Sequence, residues 1–313
     1  MLVKSKARFR IGQTVWVRSL EEIVATLDDE GKLDGMLFMP EMIKYCGQSF
    51  QIAHFSWRTC IEGHGIGFRS MTGTVFLKDL RCDGSLHGGC QRGCLFFWKE
   101  EWLSDMPVDR SDNSARDDIS SGRNSLQTIK EGRYICQFTE LAGASSPYRP
   151  SQLIWYLRDV WHRDMSLSVF GSKMADVFIN RARKFIGMEA GRLLRGNRSK
   201  TDTEDLNLQP GEWVQVKERS EIQSTLDHEG KNRGLQFSAD MLPFCGGKYK
   251  VAGKVNKIID MESGKMVNIR NTVILEDVTC QRFGCYRANL LYWREIWLRR
   301  CEAPSLGPEW VAL

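Results

Sequence analysis

Gly12-Gln-Thr-Val-Trp-Val-Arg18 and Gly211-Glu-Trp-Val-Gln-Val-Lys217 share the pattern Gly-x-x-Val-x-Val followed by a base, at an offset of 199 residues. The same offset places Glu22-Ile23 on Glu221-Ile222 and Thr26-Leu-Asp28 on Thr225-Leu-Asp227. Gly31, Gly35, Phe38, Met42, Cys46 and Gly47 then fall on Gly230, Gly234, Phe237, Met241, Cys245 and Gly246 without a gap. The match resumes with Val75–Cys82 against Val273–Cys280 and closes with Trp98-Lys-Glu-Glu-Trp-Leu103 against Trp293-Arg-Glu-Ile-Trp-Leu298. Two copies of about 90 residues each describe a duplicated domain rather than a short-repeat solenoid.

The shared pattern predicts the elements. Val15 and Val17 alternate as in a strand over Thr14 to Val17, and Ser19-Leu-Glu-Glu22 offers a capping box for a helix through Leu27. Pro40 suits the start of a second short helix, Met39 to Tyr45, with Gly47 as its stop. Ser49 to Ser56 and Thr74 to Arg81 read as strands. The expected fold class is mainly β or α+β: tandem small β-rich domains, each a strongly bent sheet or SH3-like barrel with short helical insertions. Repeat domains occupy 1–104 and 201–313. A polar linker spans 105–133, since Asp105 to Arg123 has hardly an apolar residue. A helical segment over 134–200 follows, with helices expected over 151–162 and 172–186 from the apolar spacing.

The chain has 313 residues, 42% hydrophobic and 27% charged, with 44 basic and 39 acidic residues for a net charge of +5. This is the composition of a globular protein, and the charge is too small to argue for nucleic-acid binding. No apolar run reaches the length of a membrane span, and Met1–Gly12 has no apolar core resembling a secretory signal, so a cytoplasmic location is expected. Ten cysteines are then read as thiols or metal ligands rather than as a disulfide framework.

Their placement points to a metal. In copy one the chain runs Cys82-Asp-Gly-Ser-Leu-His87-Gly-Gly-Cys90-Gln-Arg-Gly-Cys94. Thiolate and imidazole are what Zn²⁺ prefers, and the glycines permit the turns that wrap an ion. Cys280 and Cys285 match Cys82 and Cys90, whereas His87 and Cys94 fall on Arg282 and Asn289. With Cys46 and Cys245 at the helix ends, the repeats share two triples: Cys46, Cys82, Cys90 and Cys245, Cys280, Cys285. Copy one can complete a tetrahedron with His87 or Cys94. Copy two has no equivalent fourth ligand. Ordinary buried thiols are the alternative, and an iron ion or iron–sulfur cluster is a lesser one than zinc.

Gly63-His-Gly-Ile-Gly67 lacks the context of a phosphate loop and reads as a hairpin turn. Walker, Gly-x-Ser-x-Gly and His-Glu-x-x-His motifs are missing from the sequence. Arg181, Arg183, Lys184, Arg192 and Arg195 form a basic run suited to an anionic surface or to a solvated helix end. Trp98 and Trp102, with Trp293 and Trp297, stand at i, i+4 spacing, one helical turn apart, and are expected to pack a core or the contact between repeats rather than stack on a ligand.

The combination Gly-x-x-Val-x-Val-Arg-Ser-x-Glu-Glu-Ile, Tyr45-Cys-Gly47, Cys82-Asp-Gly-Ser-x-His-Gly-Gly-Cys90 and Phe97-Trp-Lys-Glu-x-Trp102 resembles an uncharacterised family of bacterial proteins. Cys136-Gln-x-Thr-Glu140 and Leu206-Asn-Leu-Gln-Pro-Gly211 extend the likeness along nearly the whole chain. The resemblance implies gene neighbourhoods for polysaccharide or specialised-metabolite biosynthesis, and in those relatives a longer, more cysteine-rich second loop. The functional expectation is a non-enzymatic, zinc-stabilised accessory protein presenting a surface to a protein partner or biosynthetic product. The rival is a metalloenzyme with an open cysteine-ligated site, Glu140 or Asp83 serving as acid or base.

Overall fold

The computed structural model describes residues 8–61, 68–107, 126–147, 166–168, 170, 171, 175, 194–281 and 285–304. It is mainly β, built from several antiparallel sheets. None of the described helices is long and apolar enough to cross a membrane. The chain divides into two units: Met1–Phe178 with Lys257–Val267 and Gln281–Asn289, and Ile179–Asn256 with Asn268–Cys280 and Leu290–Leu313.

In the first unit, strands β1 (Thr14–Val17), β2 (Ser49–Phe55), β3 (Thr74–Arg81), β4 (Leu95–Lys99) and β5 (Leu103–Ser104) form one antiparallel sheet in the order β4-β3-β2-β1-β5. The expected alternation holds, since Val15 and Val17 are wholly buried while Thr14 faces solvent. The Ser19 capping box forms reciprocally: the Ser19 hydroxyl accepts from the Glu22 amide at 3.2 Å, and Glu22 accepts from the Ser19 amide at 3.0 Å. It opens helix α1, Leu20–Val24, which is shorter than the sequence suggests. The second helix is a 3-10 helix, Pro40–Tyr45. Trp98 and Trp102 are not one α-helical turn apart: Trp98 lies on β4 and Trp102 ends a single 3-10 turn, Glu100–Trp102. Both are fully buried, and Trp102 meets Phe38 edge-on at 5.3 Å while its indole N–H donates to Thr26.

The second unit repeats this plan with β6 (Trp213–Val216), β7 (Lys248–Lys254), β8 (Thr272–Leu275), β9 (Trp293–Arg294) and β10 (Leu298–Arg300), ordered β9-β8-β7-β6-β10. Trp297 meets Phe237 edge-on at 5.2 Å and donates to Thr225, as Trp102 does to Thr26. Glu295 is buried and accepts from the amides of Leu206, Asn207 and Leu208, closing the chain's entry into this unit.

The stretch from Leu126 belongs to the first core rather than to a polar linker. Leu126, Cys136, Phe138 and Leu141 are buried in it, and Ile129–Lys130 pairs with Arg133–Tyr134. The helix expected over 151–162 lies outside the described residues, as does that over 172–186 apart from the helical Ala175. Gln137 fastens the stretch to the sheet. Its side-chain amide accepts from the Phe97 N–H at 2.9 Å and donates to the Phe97 and Leu37 carbonyls at 2.8 and 2.9 Å. All three groups are away from water, so removing the amide leaves each without its partner. Gln137→Ala is expected to lower the stability of the first unit by about 3 kcal/mol, read in a urea titration. Gln137→Glu, which retains the acceptor and loses both donors, is expected to be comparably damaging.

Candidate functional site

The loop between β3 and β4 carries Cys82 to Cys94. It folds back on itself because Gly84, at φ 66°, accepts from the His87 and Gly89 amides, and a Cβ there would overlap the Cys90 backbone. Gly88, Gly89 and Gly93 also hold positive φ, as the sequence requires of a wrapped loop. The Cys82 amide donates to the Cys94 carbonyl at 2.8 Å, which brings the two ends of the loop together.

Beneath the loop is a cavity of about 30 Å³, room for one water-sized or ion-sized guest. Four cysteines line it: Cys82, Cys90 and Cys94 from the loop, and Cys136 from the stretch that Gln137 anchors. Met39, Leu95, Phe96 and Phe138 supply apolar walls. The sulfurs of Cys82, Cys90 and Cys136 accept backbone amides. Gly84 donates to Cys82 at 3.4 Å, Ile259 donates to Cys90 at 3.3 Å, and the Phe138 and Thr139 amides serve Cys136. Donors of this kind favour thiolate over thiol. Burial acts in the other direction and pushes both Cys82 and Cys136 up, with the Glu41 charge adding to the effect at Cys82. Among the described residues, no group of three or more His, Cys, Asp or Glu side chains has metal-holding geometry as it stands.

His87 lines the same cavity but its ring is engaged elsewhere. Nε2 lies 2.9 Å from the Ile135 carbonyl and therefore donates to it, while Nδ1 lies 2.6 Å from Glu41 Oε1. One proton occupies that second contact. Glu41 Oε1 also accepts the Leu86 amide, and the buried Glu41 Oε2 has no hydrogen-bond partner among the described residues. Glu41, on the 3-10 helix Pro40–Tyr45, escapes sequence reasoning because nothing marks that glutamate as buried.

The remaining candidates lie apart from this cavity. Cys46 packs against the first core, and burial pushes its thiol up to about 12. Cys245 and Cys280 pack against the second core. Cys285 belongs to the first unit, where its sulfur lies 3.6 Å from that of Cys60. The expected triple Cys245, Cys280, Cys285 is thus divided between the units. Asp83 pairs with Lys44 at 2.6 Å; against the burial of its carboxyl, Lys44 and the Ser85 amide hold it down at about 2. Glu140 pairs with Lys32 at 3.2 Å. Of the basic run, Arg195 is exposed, and Arg181, Arg183, Lys184 and Arg192 lie outside the described residues. Gly63–Gly67 lies outside them too.

Two segments of copy two complete the surroundings. Lys257–Val267 and Gln281–Asn289 belong to the first unit, and the contacts they make there are reciprocal to those of copy one. Arg92 donates to the Ile259 carbonyl, and Arg287, its counterpart in copy two, donates to the carbonyl of Cys60, the counterpart of Ile259. Both guanidinium groups lie over the Phe138 ring, at 4.0 and 5.1 Å from its centre.

Comparison of the chain with protein-family models, curated proteins and solved structures returns no match.

Because both His87 nitrogens serve Glu41 and Ile135, His87→Phe is expected to cost about 3 kcal/mol of stability by leaving the Glu41 carboxyl buried without its partner. Its metal content per folded chain, measured by elemental analysis, is expected to equal that of the unaltered protein.

Proposed function

We propose that this is a non-enzymatic accessory protein whose first unit is stabilised by a zinc ion bound to Cys82, Cys90, Cys94 and Cys136. The observation that carries the reading is that these four cysteines line one ion-sized cavity. Four soft ligands suit Zn²⁺ in a closed structural site. The amide donors to the Cys82 and Cys90 sulfurs favour the thiolate that a bound cation requires. Binding requires the four sulfurs to close to the usual zinc–sulfur distance of about 2.3 Å. The ion's contribution is to tie the loop to the stretch around Cys136, so that binding free energy becomes folding free energy.

Each five-stranded sheet supports an SH3-like barrel reading: a four-strand meander followed, after one 3-10 turn, by a fifth strand that pairs with the first. The family resemblance supplies the context of a biosynthetic partner or product. The duplicated arrangement suits a protein that presents surfaces rather than one that encloses a reaction.

Protein purified without added metal is expected to carry one zinc per chain by elemental analysis. Cys82→Ser, Cys90→Ser, Cys94→Ser and Cys136→Ser each lower that content severalfold, whereas Cys46→Ser and Cys245→Ser leave it unchanged. Zinc affinity falls as pH falls, because protons compete for thiols that burial already makes reluctant to ionise. Stoichiometric iron with visible absorption replaces zinc by an iron site, and absence of both metals defeats the reading.

A further inference from the structure

The Cys60 and Cys285 sulfurs, 3.6 Å apart, form a pair outside the zinc reading and independent of it. They are 225 residues apart in sequence. Cys60 ends the strand Arg58–Cys60 of copy one, and Cys285 lies in the short loop of copy two. Both are nearly inaccessible, at 5% and 8% exposure. Arg287 binds this place from both sides: its guanidinium donates to the Cys60 carbonyl at 2.6 Å and its amide serves the Cys285 sulfur. The neighbouring Tyr286 stacks on His54 at 4.5 Å, which further fixes the loop.

We propose that Cys60 and Cys285 are an oxidisable pair that closes to a disulfide when the protein meets a small hydroperoxide, covalently fastening the copy-two loop to the copy-one strand. The hydrogen bond from Cys60 and the Arg287 amide and guanidinium, set against burial, hold the Cys285 thiol below its ordinary value. Cys285 is therefore the sulfur that attacks. Its thiolate takes one oxygen of hydrogen peroxide: the S–O bond forms, the O–O bond breaks, and the departing hydroxide combines with the proton that Cys285 gave up. Cys60 then attacks the Cys285 sulfenic sulfur. The S–S bond forms, the S–O bond breaks, and the second hydroxide leaves as water with the Cys60 proton. Two thiols lose two electrons and one peroxide becomes two waters. The sulfurs must close from 3.6 Å to about 2.05 Å. A water-sized oxidant suits a site this enclosed.

The test treats the reduced, full-length chain with increasing hydrogen peroxide, alkylates the remaining thiols, digests without reductant and maps the peptides by mass. The expected first product is a Cys60–Cys285 cross-linked peptide, two hydrogen atoms lighter than its reduced parts and reversed by dithiothreitol. It is accompanied by a rise of several degrees in the unfolding midpoint of the intact chain. In Cys60→Ser, Cys285 is expected to accumulate as a sulfenic acid that captures dimedone; in Cys285→Ser, Cys60 stays alkylatable. If Cys60 and Cys285 both remain alkylatable after other cysteines oxidise, or the first cross-link joins a different pair, the proposal is overturned. Zinc content measured on the same samples separates this result from the metal reading, since either can fail while the other stands.

Discussion

Gln137, between Cys136 and Phe138, ties the stretch that carries all three to the sheet of the first unit. The Gln137 amide takes up the N–H and C=O of Phe97 and so replaces, for that residue, the partner that a neighbouring strand would supply. That bond fixes its neighbours. Cys136 is thereby directed to the cavity under the cysteine loop, and the Phe138 ring is held under two guanidinium groups. A buried side-chain amide with three satisfied hydrogen bonds is directional in a way that apolar packing is not. The stretch that carries it belongs to neither repeat, yet it places one thiol and the aromatic ring between contributions from both.

The reciprocal contacts of Arg92 and Arg287 explain why a single ring suffices for two arginines. Each copy sends a loop arginine to the carbonyl of the other copy's hairpin. The copies have diverged at these contacts. Where copy one places Cys90 against the Ile259 amide, copy two places Cys285 against Cys60, so equivalent contacts carry different chemistry. The positive φ of Gly93 is retained at Ala288, its counterpart, although alanine tolerates it less well.

Much of the β framework was legible because a period-two pattern repeated at a fixed offset constrains itself twice. The strands Thr14–Val17 and Thr74–Arg81 are found where the alternation puts them, and Ser19 caps as its spacing predicts. The two tryptophans misled, because i, i+4 spacing fits an α-helical turn as well as a strand end followed by a 3-10 turn. Three of the four thiols at the cavity were visible in one glycine-rich loop. Cys136 was not, since its approach depends on the Gln137 bonds across a sequence gap that no local pattern encodes. The segment Cys136-Gln-x-Thr-Glu140 is the available signal, because it carries a further cysteine outside the glycine-rich loop. His87 read as a ligand because nothing adjacent to it names Glu41, 46 residues earlier, as the group that engages its ring. Nor does sequence reveal that copy two's hairpin and loop belong to the first unit, because the matching lengths fit either placement.

The inclusion of copy-two segments in the first unit bears on how the chain is made. Domains ordinarily close in the order of their synthesis, amino-terminal first. Here the first unit includes Gln281–Asn289, so its last contributions leave the ribosome well after its own sheet is complete. At about 5–20 residues per second, the interval from Pro147 to Asn289 is on the order of ten seconds. During that time the ring of Phe138 and the thiol of Cys60 await the arginine and cysteine that cover them. A nascent chain of this design therefore exposes to its surroundings, for a period set by translation, groups that the finished protein conceals.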